Sequence, residues 1–371
     1  MHEKIAFIQT HSPQDEHVLI VPGAKTKKIT ADRSRVYLIH SPLLSRTSRY
    51  RALLNLRAVG EILERENPDI IESSDPYQIA WQSLAMGKTL GIPVVGFYHS
   101  HFAEAYVRGT AKLLGRKASE SAIKAARSYV RELYNRFEAT LVPTEPLAAL
   151  LGEWGVTNIR AVKLGVNTDF FKPTPDDRAE TRQALGVPLK KQLLLYVGRL
   201  SKDKNTDCLV RAFELLEKRR PGDFHLLVVG DGSDRNALKE LQSTRPSISW
   251  IKYCTDSLEL ARYYRAADLF VHPGIQETFG LVALESQACG TPVVGVKGTY
   301  MDQVIFHDQE DWAEEATPEA LAEAIERSVA RLKLMSPGDV SDLPSRLYAW
   351  PTVFAQLFCI YRDVCARYRE R

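Results

Sequence analysis

Pro273-Gly274-Ile275-Gln276-Glu277-Thr278-Phe279-Gly280-Leu281-Val282-Ala283-Leu284-Glu285 places two glutamates eight residues apart, one in a loop and one inside a helical pattern. The stretch follows an apolar run of strand character, Leu269–His272, and its helix opens near Gly280. The backbone N–H groups of Phe279, Gly280 and Leu281 stand where that helix begins. Amides there lack an intrahelical acceptor, and with the helix dipole they form a site for an anion. Gly280 permits close backbone approach. Glu285 is placed to accept hydrogen bonds from a ribose. Glu277 points at whatever the phosphate carries. Two merely solvated glutamates would not require Phe279-Gly280 before the helix or the Gly290-Thr291-Pro292 turn after it.

A second loop has the same character. Tyr196-Val197-Gly198-Arg199-Leu200-Ser201-Lys202-Asp203-Lys204-Asn205 ends a strand and precedes a helix. Two cations, Arg199 and Lys204, at the carboxyl end of a strand can clamp a diphosphate and stabilise charge on a departing phosphate. Val228-Val229-Gly230-Asp231-Gly232 follows the next strand. Its Gly230 and Gly232 shape a pocket rather than do chemistry. No Gly-x-Gly-x-x-Gly follows the first apolar run, Lys4–Gln9, which argues against a nicotinamide dehydrogenase.

Working outward, short β-branched runs alternate with longer helical patterns, which predicts an α/β protein with parallel sheets. Strands are expected at Lys4–Gln9, His17–Val21, Arg35–Ile39, Asp69–Glu72, Pro93–Tyr98, Ala139–Val142 and Ile159–Val162, then at 193–197, 224–229, 248–252, 268–272 and 292–295. The stretch Phe171-Lys172-Pro173-Thr174-Pro175-Asp176-Asp177 reads as an extended linker. Two doubly wound domains are therefore expected, 1–171 and 172–351. A cleft between them is the default site. One connection is awkward. Seven residues separate Lys4–Gln9 from His17–Val21, and a parallel crossover needs about a dozen. Either these strands are antiparallel, or a segment of a helix's length is missing, the latter being favoured by the regular alternation that follows.

Composition narrows the class. With 371 residues, 44% hydrophobic and 26% charged, the chain has ample material for two cores and is not disordered. Its apolar runs are far shorter than the ~20 residues of a spanning helix. The start, Met1-His2-Glu3-Lys4-Ile5, lacks the character of a signal peptide. Five cysteines without a CxxC pair indicate neither a disulfide frame nor a metal site, and a cytoplasmic location is expected. Residues 1–170 hold 22 Lys/Arg against 17 Asp/Glu, and much of the excess lies in 104–137. That stretch is either a solvated helix face or a surface for anionic lipid headgroups or an acidic substrate. Aromatic interleaving for a nucleic acid is absent.

In the first half, Tyr98-His99-Ser100-His101-Phe102 ends a strand. His99 and His101 either hydrogen-bond a sugar hydroxyl and assist proton movement, or are ordinary surface or packed histidines. Asp75, in the loop Glu72-Ser73-Ser74-Asp75-Pro76, either binds acceptor hydroxyls or caps a helix.

Glu277-x7-Glu285 followed by Ala288-Cys289-Gly290-Thr291-Pro292-Val293-Val294 resembles the signature of retaining glycosyltransferase family 4, which has the GT-B fold of two facing Rossmann-like domains. Gly198-Arg199 with Lys204, the turn Gly230-Asp231-Gly232, His99 after an aromatic, Pro143-Thr144-Glu145 and Gly165-Val166-Asn167 are similar to family elements. Trp350-Pro351 and the helix to 369 resemble the family's closing helix, which packs 352–371 back on the first domain. The resemblance implies transfer of a hexose from a UDP- or GDP-sugar, without metal or other cofactor, to a lipid or glycan acceptor. In that picture Arg199, Lys204 and the amides of Phe279–Leu281 neutralise the departing diphosphate. Glu277 orients the sugar, Glu285 holds the ribose and His99 contacts the transferred sugar. Asp75 and His101 would face the acceptor. A lipid acceptor, with the basic 104–137 face, suggests peripheral binding at the inner face of a membrane. Three features depart from the pattern. The glycine-rich loop after the first strand is not visible, Asp203-Lys204-Asn205 replaces Glu-Lys-Gly, and Asp308–Ala313 replaces a glycine-rich turn. A nucleotide-sugar binder without turnover, or a phosphorylase of the same fold, are the alternatives.

Overall fold

The computed structural model describes residues 2–12, 14–43, 51–99, 116–174, 177–275, 277 and 279–371. The chain divides into two compact units, one of Met1–Lys163 with Val353–Arg371 and one of Leu164–Thr352.

Unit 1 opens on a helix, His2–His11, where the sequence suggested a strand. Short apolar runs do not distinguish the two, and here the helical period prevails. Lys4, Phe7, Ile8 and His11 share a face. Phe7 stacks on His11 at 4.9 Å and packs on Phe354 and Phe358 at 5.5 Å. Lys4 Nζ donates to Glu72 at 3.1 Å and to the Tyr361 hydroxyl at 3.0 Å. The supposed crossover before His17 therefore does not exist, and neither a missing segment nor an antiparallel pair is needed to explain the spacing.

Strands β1 (His17–Gly23), β2 (Lys27–Ala31) and β3 (Ser34–His40) form one sheet in the order β1-β3-β2. β1 runs parallel to β3, while β2, unforeseen and fully exposed, runs antiparallel. A second sheet, β4 (Ile71–Ser73), β5 (Val94–Phe97), β6 (Ala139–Val142) and β7 (Ile159–Ala161), is wholly parallel. Helices Leu56–Glu66, Gln78–Leu90, Arg116–Tyr134 and Glu145–Glu153 connect it. The core lies where Val94 and Val142 meet Leu133, Leu147 and Leu151. The helix Trp350–Arg369 supplies the last part of unit 1. Besides Phe354, Phe358 and Tyr361, Arg369 reaches Asp69 at 3.0 Å.

Unit 2 is a five-stranded, all-parallel sheet in the order β10-β9-β8-β11-β12: β8 (Gln192–Val197), β9 (Phe224–Val229), β10 (Ile248–Ile251), β11 (Leu269–Val271) and β12 (Val293–Val294). Leu193–Leu195 and Leu226–Val229 of β9 are continuous buried apolar runs, as expected of parallel strands covered on both faces. The unit begins at Leu164, ahead of the Phe171–Asp177 stretch, because Val166 pairs with its far end. The Val166 amide donates to Tyr348 at 2.7 Å and its carbonyl accepts from Trp350 at 3.2 Å. Arg182, fully buried, bridges β8 to β11 through Asp268 and the carbonyls of Ala266 and Lys191.

The strand order fixes the site. The chain leaves β8 toward β9 on one side and returns to β11 on the other. A doubly wound sheet opens its ligand crevice at such a switch point, outside the carboxyl ends of the strands. Residues following β8 and β11 are therefore the ones brought together.

Candidate active site

Tyr196, Val197, Gly198, Lys204, His272, Gly274, Glu277 and Val282 line a pocket at this switch point. Lys204 ends a short 3-10 turn, Lys202–Lys204, after β8, and Glu277 lies in the loop after β11. Lys204 Nζ meets Glu277 Oε2 at 2.5 Å, each side chain only 18% exposed. Burial alone would raise the Glu277 carboxyl. The imidazole of His272 and the charge of Lys204 outweigh it and hold the group down at about 2. The two loops are also tied directly, since Asn205 Nδ2 donates to the Pro273 carbonyl at 3.1 Å. Asn205 takes a left-handed backbone at φ 55°. Asparagine is among the few non-glycine residues that tolerate it. The replacement of the family's glycine thus keeps the turn and adds a tether.

The glycines of the neighbouring turns act by size. A Cβ on Gly230 would lie 1.8 Å from the Gly198 carbonyl oxygen, so the turns after β8 and β9 touch through backbone. Gly232 stands in the same relation to Leu200, which it meets in a parallel bridge. Trp250 Nε1 donates to the Gly230 carbonyl at 2.9 Å and fixes the turn from β10.

The helix expected near Gly280 runs Leu281–Ala288 with Gly280 as its cap, at φ 85°. A Cβ there would lie 2.5 Å from the buried Met301 sulfur, so glycine is required on both counts. The cap carbonyl accepts from Ala283 and Leu284 at 3.0 and 3.3 Å. The first helical amides are thus those of Leu281 and Val282. Phe279 precedes the cap, and its ring is buried 6.1 Å from that of Tyr348. Of the three amides singled out from the sequence, those of Gly280 and Leu281 stand at the cap and first position of this helix, while Phe279 lies before it. Glu285 lies one turn beyond Val282 on the same face, and Tyr264 OH donates to it at 2.9 Å. Burial pushes its carboxyl up to about 7 against the pull of that hydroxyl.

The other expected residues are dispersed. Arg199 directly follows Gly198 but is exposed and is not among the residues lining the pocket, while its carbonyl accepts from Tyr196 OH at 2.9 Å. In unit 1, His99 is exposed just past β5, its Nδ1 3.4 Å from the Phe97 carbonyl. Asp75 follows β4 and accepts from the Tyr77 amide at 2.7 Å, with burial raising its carboxyl. It forms a local turn and does not cap the helix Gln78–Leu90, whose cap position is Tyr77. Thr144 holds the cap position of Glu145–Glu153 without a capping side-chain bond. His101 and most of the basic stretch 104–115 lie outside the described residues. His272, Asn205 and Tyr264 were not singled out from sequence. The position of His272, directly after an apolar strand, was the available signal.

With this geometry in view, the comparisons are consistent. The family model Glycosyltransferase Family 4 matches residues 12–170 and Glycosyl transferases group 1 matches 177–333. The GDP-mannose-dependent alpha-(1-6)-phosphatidylinositol dimannoside mannosyltransferase of Mycobacterium tuberculosis is 33% identical over 85% of this chain and 80% of its own length. Sulfoquinovosyl transferase SQD2 of Arabidopsis thaliana is 31% identical over 69% of this chain and 48% of that protein, so this chain spans about half of it. In fold, HepE of Anabaena, solved with UDP, superposes at TM-score 0.71 with 16% identity, over 94% of this chain and 100% of that one. The molecule is of the GT-B class of glycosyltransferases. The chain belongs to glycosyltransferase family 4. Among the described residues no helix is long and apolar enough to cross a membrane.

Proposed function

We propose that the chain transfers a hexose, with retention, from a UDP- or GDP-sugar to a lipid or glycan acceptor. The observation that carries this reading is the meeting of Lys204 and Glu277 in one pocket at the β8/β11 switch point, beside the first turn of the helix Leu281–Ala288. A cation and helix amides suit a pyrophosphate, and an adjacent carboxylate suits a sugar hydroxyl. The names of the relatives, a GDP-mannose-dependent mannosyltransferase and a sulfoquinovosyl transferase, support donor and acceptor classes of this kind.

In this reading the donor pyrophosphate draws Lys204 away from Glu277. Arg199, exposed beside Gly198, swings toward the same phosphates. Glu277, ionised at neutral pH, orients the sugar, and Glu285 accepts from the ribose. The acceptor oxygen bonds to the anomeric carbon on the face the leaving group departs from. As the bond from that carbon to the phosphate oxygen breaks, that oxygen takes the acceptor's proton. Lys204 and the helix amides stabilise the departing charge without a metal ion. Asp75 and His99 serve the acceptor side from unit 1, and the basic stretch 104–137 meets an anionic membrane surface.

Calorimetry with UDP, GDP, UDP-glucose and GDP-mannose tests the donor assignment. Wild-type protein binds one nucleoside diphosphate and its sugar, and Lys204→Ala weakens both at least ~10-fold, as for loss of a charge-assisted contact. Binding unchanged in Lys204→Ala would remove the pyrophosphate from this pocket.

A further inference from the structure

The pocket contains a group to which the donor assignment gives no role. His272, the residue after β11, is 3% exposed. Its amide is spent on the sheet, donating to the Val294 carbonyl at 2.9 Å. Its ring packs 6.5 Å from that of Phe270, and it lines the pocket beside Gly274 and Glu277. Among the described residues Nδ1 is buried without a hydrogen-bond partner. Nε2 stands 3.8 Å from Glu277 Oε2, the same oxygen that Lys204 grips at 2.5 Å.

Burying an imidazole with one nitrogen unpaired costs free energy that an apolar ring of similar size would not. Packing alone therefore gives no reason for a histidine here, and among the described residues its directed polar contact is with Glu277. The arrangement has two stages. In the free protein Lys204 holds the carboxylate, and His272 stands slightly beyond hydrogen-bond length. Such contacts commonly tighten when substrate arrives. Once a pyrophosphate takes Lys204, the carboxylate loses the charged contact at Oε2, and that oxygen is released toward His272. A shift of about 1 Å brings Oε2 onto Nε2, which donates when the ring is charged or is neutral with its proton on Nε2. Because His272 is held by the sheet rather than by a mobile loop, it does not move with Lys204.

We propose that His272 is a positioning residue for Glu277, a fixed donor that keeps the carboxylate aimed at the donor sugar after the pyrophosphate has drawn Lys204 away. The inference rests on the donor reading given above and deepens it. It predicts that His272 matters for the sugar and not for the nucleotide, a division that a purely structural histidine would not produce.

The test compares wild type, His272→Phe and His272→Gln in calorimetric titrations with UDP, UDP-glucose, GDP and GDP-mannose. Phenylalanine keeps the bulk and removes the donor, whereas glutamine restores an N–H near the Nε2 position. For the pair that wild type binds, His272→Phe should hold the free nucleoside diphosphate within ~2-fold and lose ~10-fold for the nucleotide sugar, the size of one hydrogen bond to a charged group. His272→Gln should recover to within ~3-fold of wild type. An unchanged preference for sugar over free nucleotide in His272→Phe overturns the proposal, as does an equal loss in the Phe and Gln variants. If wild type binds none of the four ligands, the donor reading falls and this inference falls with it. Should His272→Phe not fold, 15N-histidine spectra decide on wild type, with the resonance assigned through His272→Gln. A proton on Nε2 that persists on saturation with the nucleotide sugar is expected, and a shift of the proton to Nδ1 overturns the proposal.

Discussion

The two units use one kind of sheet differently. In unit 2 the turns leaving the strands are locked to one another. Gly230 packs on the Gly198 carbonyl, Asn205 holds the Pro273 carbonyl, and Lys204 meets Glu277. In unit 1 the strands are three or four residues long in the parallel sheet, and the residues that leave them stand apart. His99 is exposed and, among the described residues, the Asp75 carboxylate bonds only its own turn. A rigid cradle suits a ligand part that never varies, such as a pyrophosphate, because preorganised donors need no rearrangement when charge develops. Loose strand ends suit a partner whose shape differs between relatives, as surface loops on a fixed scaffold do.

Mutations at matched positions sharpen or break that contrast. Gly230→Ala in unit 2 should cost at least about 3 kcal/mol in chemical denaturation, since its methyl meets backbone at φ 153°. Gly91→Ala in unit 1, also at positive φ but with open space around it, should cost only about 1 kcal/mol. Equal losses would mean that the cradle is no tighter than the rest.

Lys204→Ala should lower kcat/KM for nucleoside diphosphate release by ~100-fold or more, as for a lost transition-state donor. His99→Ala should leave affinity for the free nucleoside diphosphate within ~2-fold, since it lies in unit 1. A large loss of nucleotide affinity there would erase the division of labour.

Glu285→Gln tests the helix of unit 2 through pH. The folded protein keeps a proton on Glu285 up to about 7, whereas the unfolded chain releases it near 4.5. This group's stabilising contribution is therefore full below pH 4.5 and is lost as pH rises toward 7. Glu277, held at about 2, acts oppositely, contributing above 4.5 and losing its contribution as pH falls. Melting curves from pH 5 to 7.5 should show Glu285→Gln gaining on wild type with rising pH, by on the order of 2 kcal/mol at the upper end. A difference that does not vary with pH would place the proton elsewhere.

The smallest effect is expected at Asp308, which sits in the left-handed region at φ 51°. Asp308→Gly relieves the left-handed strain but gives up the contact with Arg331 at 3.7 Å, so it should stabilise by no more than about 1 kcal/mol. A clear loss would show that the ion pair outweighs the backbone.

The sequence made unit 2 easier to read than unit 1 for a physical reason. Parallel strands buried on both faces, such as Leu193–Val197, are apolar throughout and bounded by glycine turns, so pattern and structure coincide there. The candidate site was legible because its residues follow strands β8 and β11 directly. In unit 1 the helix His2–His11 hid behind a four-residue apolar run, Ile5–Ile8, and β2 was missed because all its residues face water. The helix Pro337–Tyr348 was disguised by Pro344, although Ser336 and Asp339 form a capping box at its start. His272 escaped notice because its role depends on a neighbour five residues away across a loop, which no periodicity encodes.

The helix Trp350–Arg369 has a consequence for biosynthesis. Its residues from Val353 onward complete unit 1, yet every residue of unit 2 leaves the ribosome before they do. The inserted half can therefore finish folding while the half that surrounds it in sequence still waits, with Phe7 and Lys4 uncovered until Phe354, Phe358 and Tyr361 arrive. A premature stop just short of residue 353 would leave the nucleotide cradle intact on paper and strand its older neighbour half-built, a form in which chaperones and proteases compete for the nascent chain.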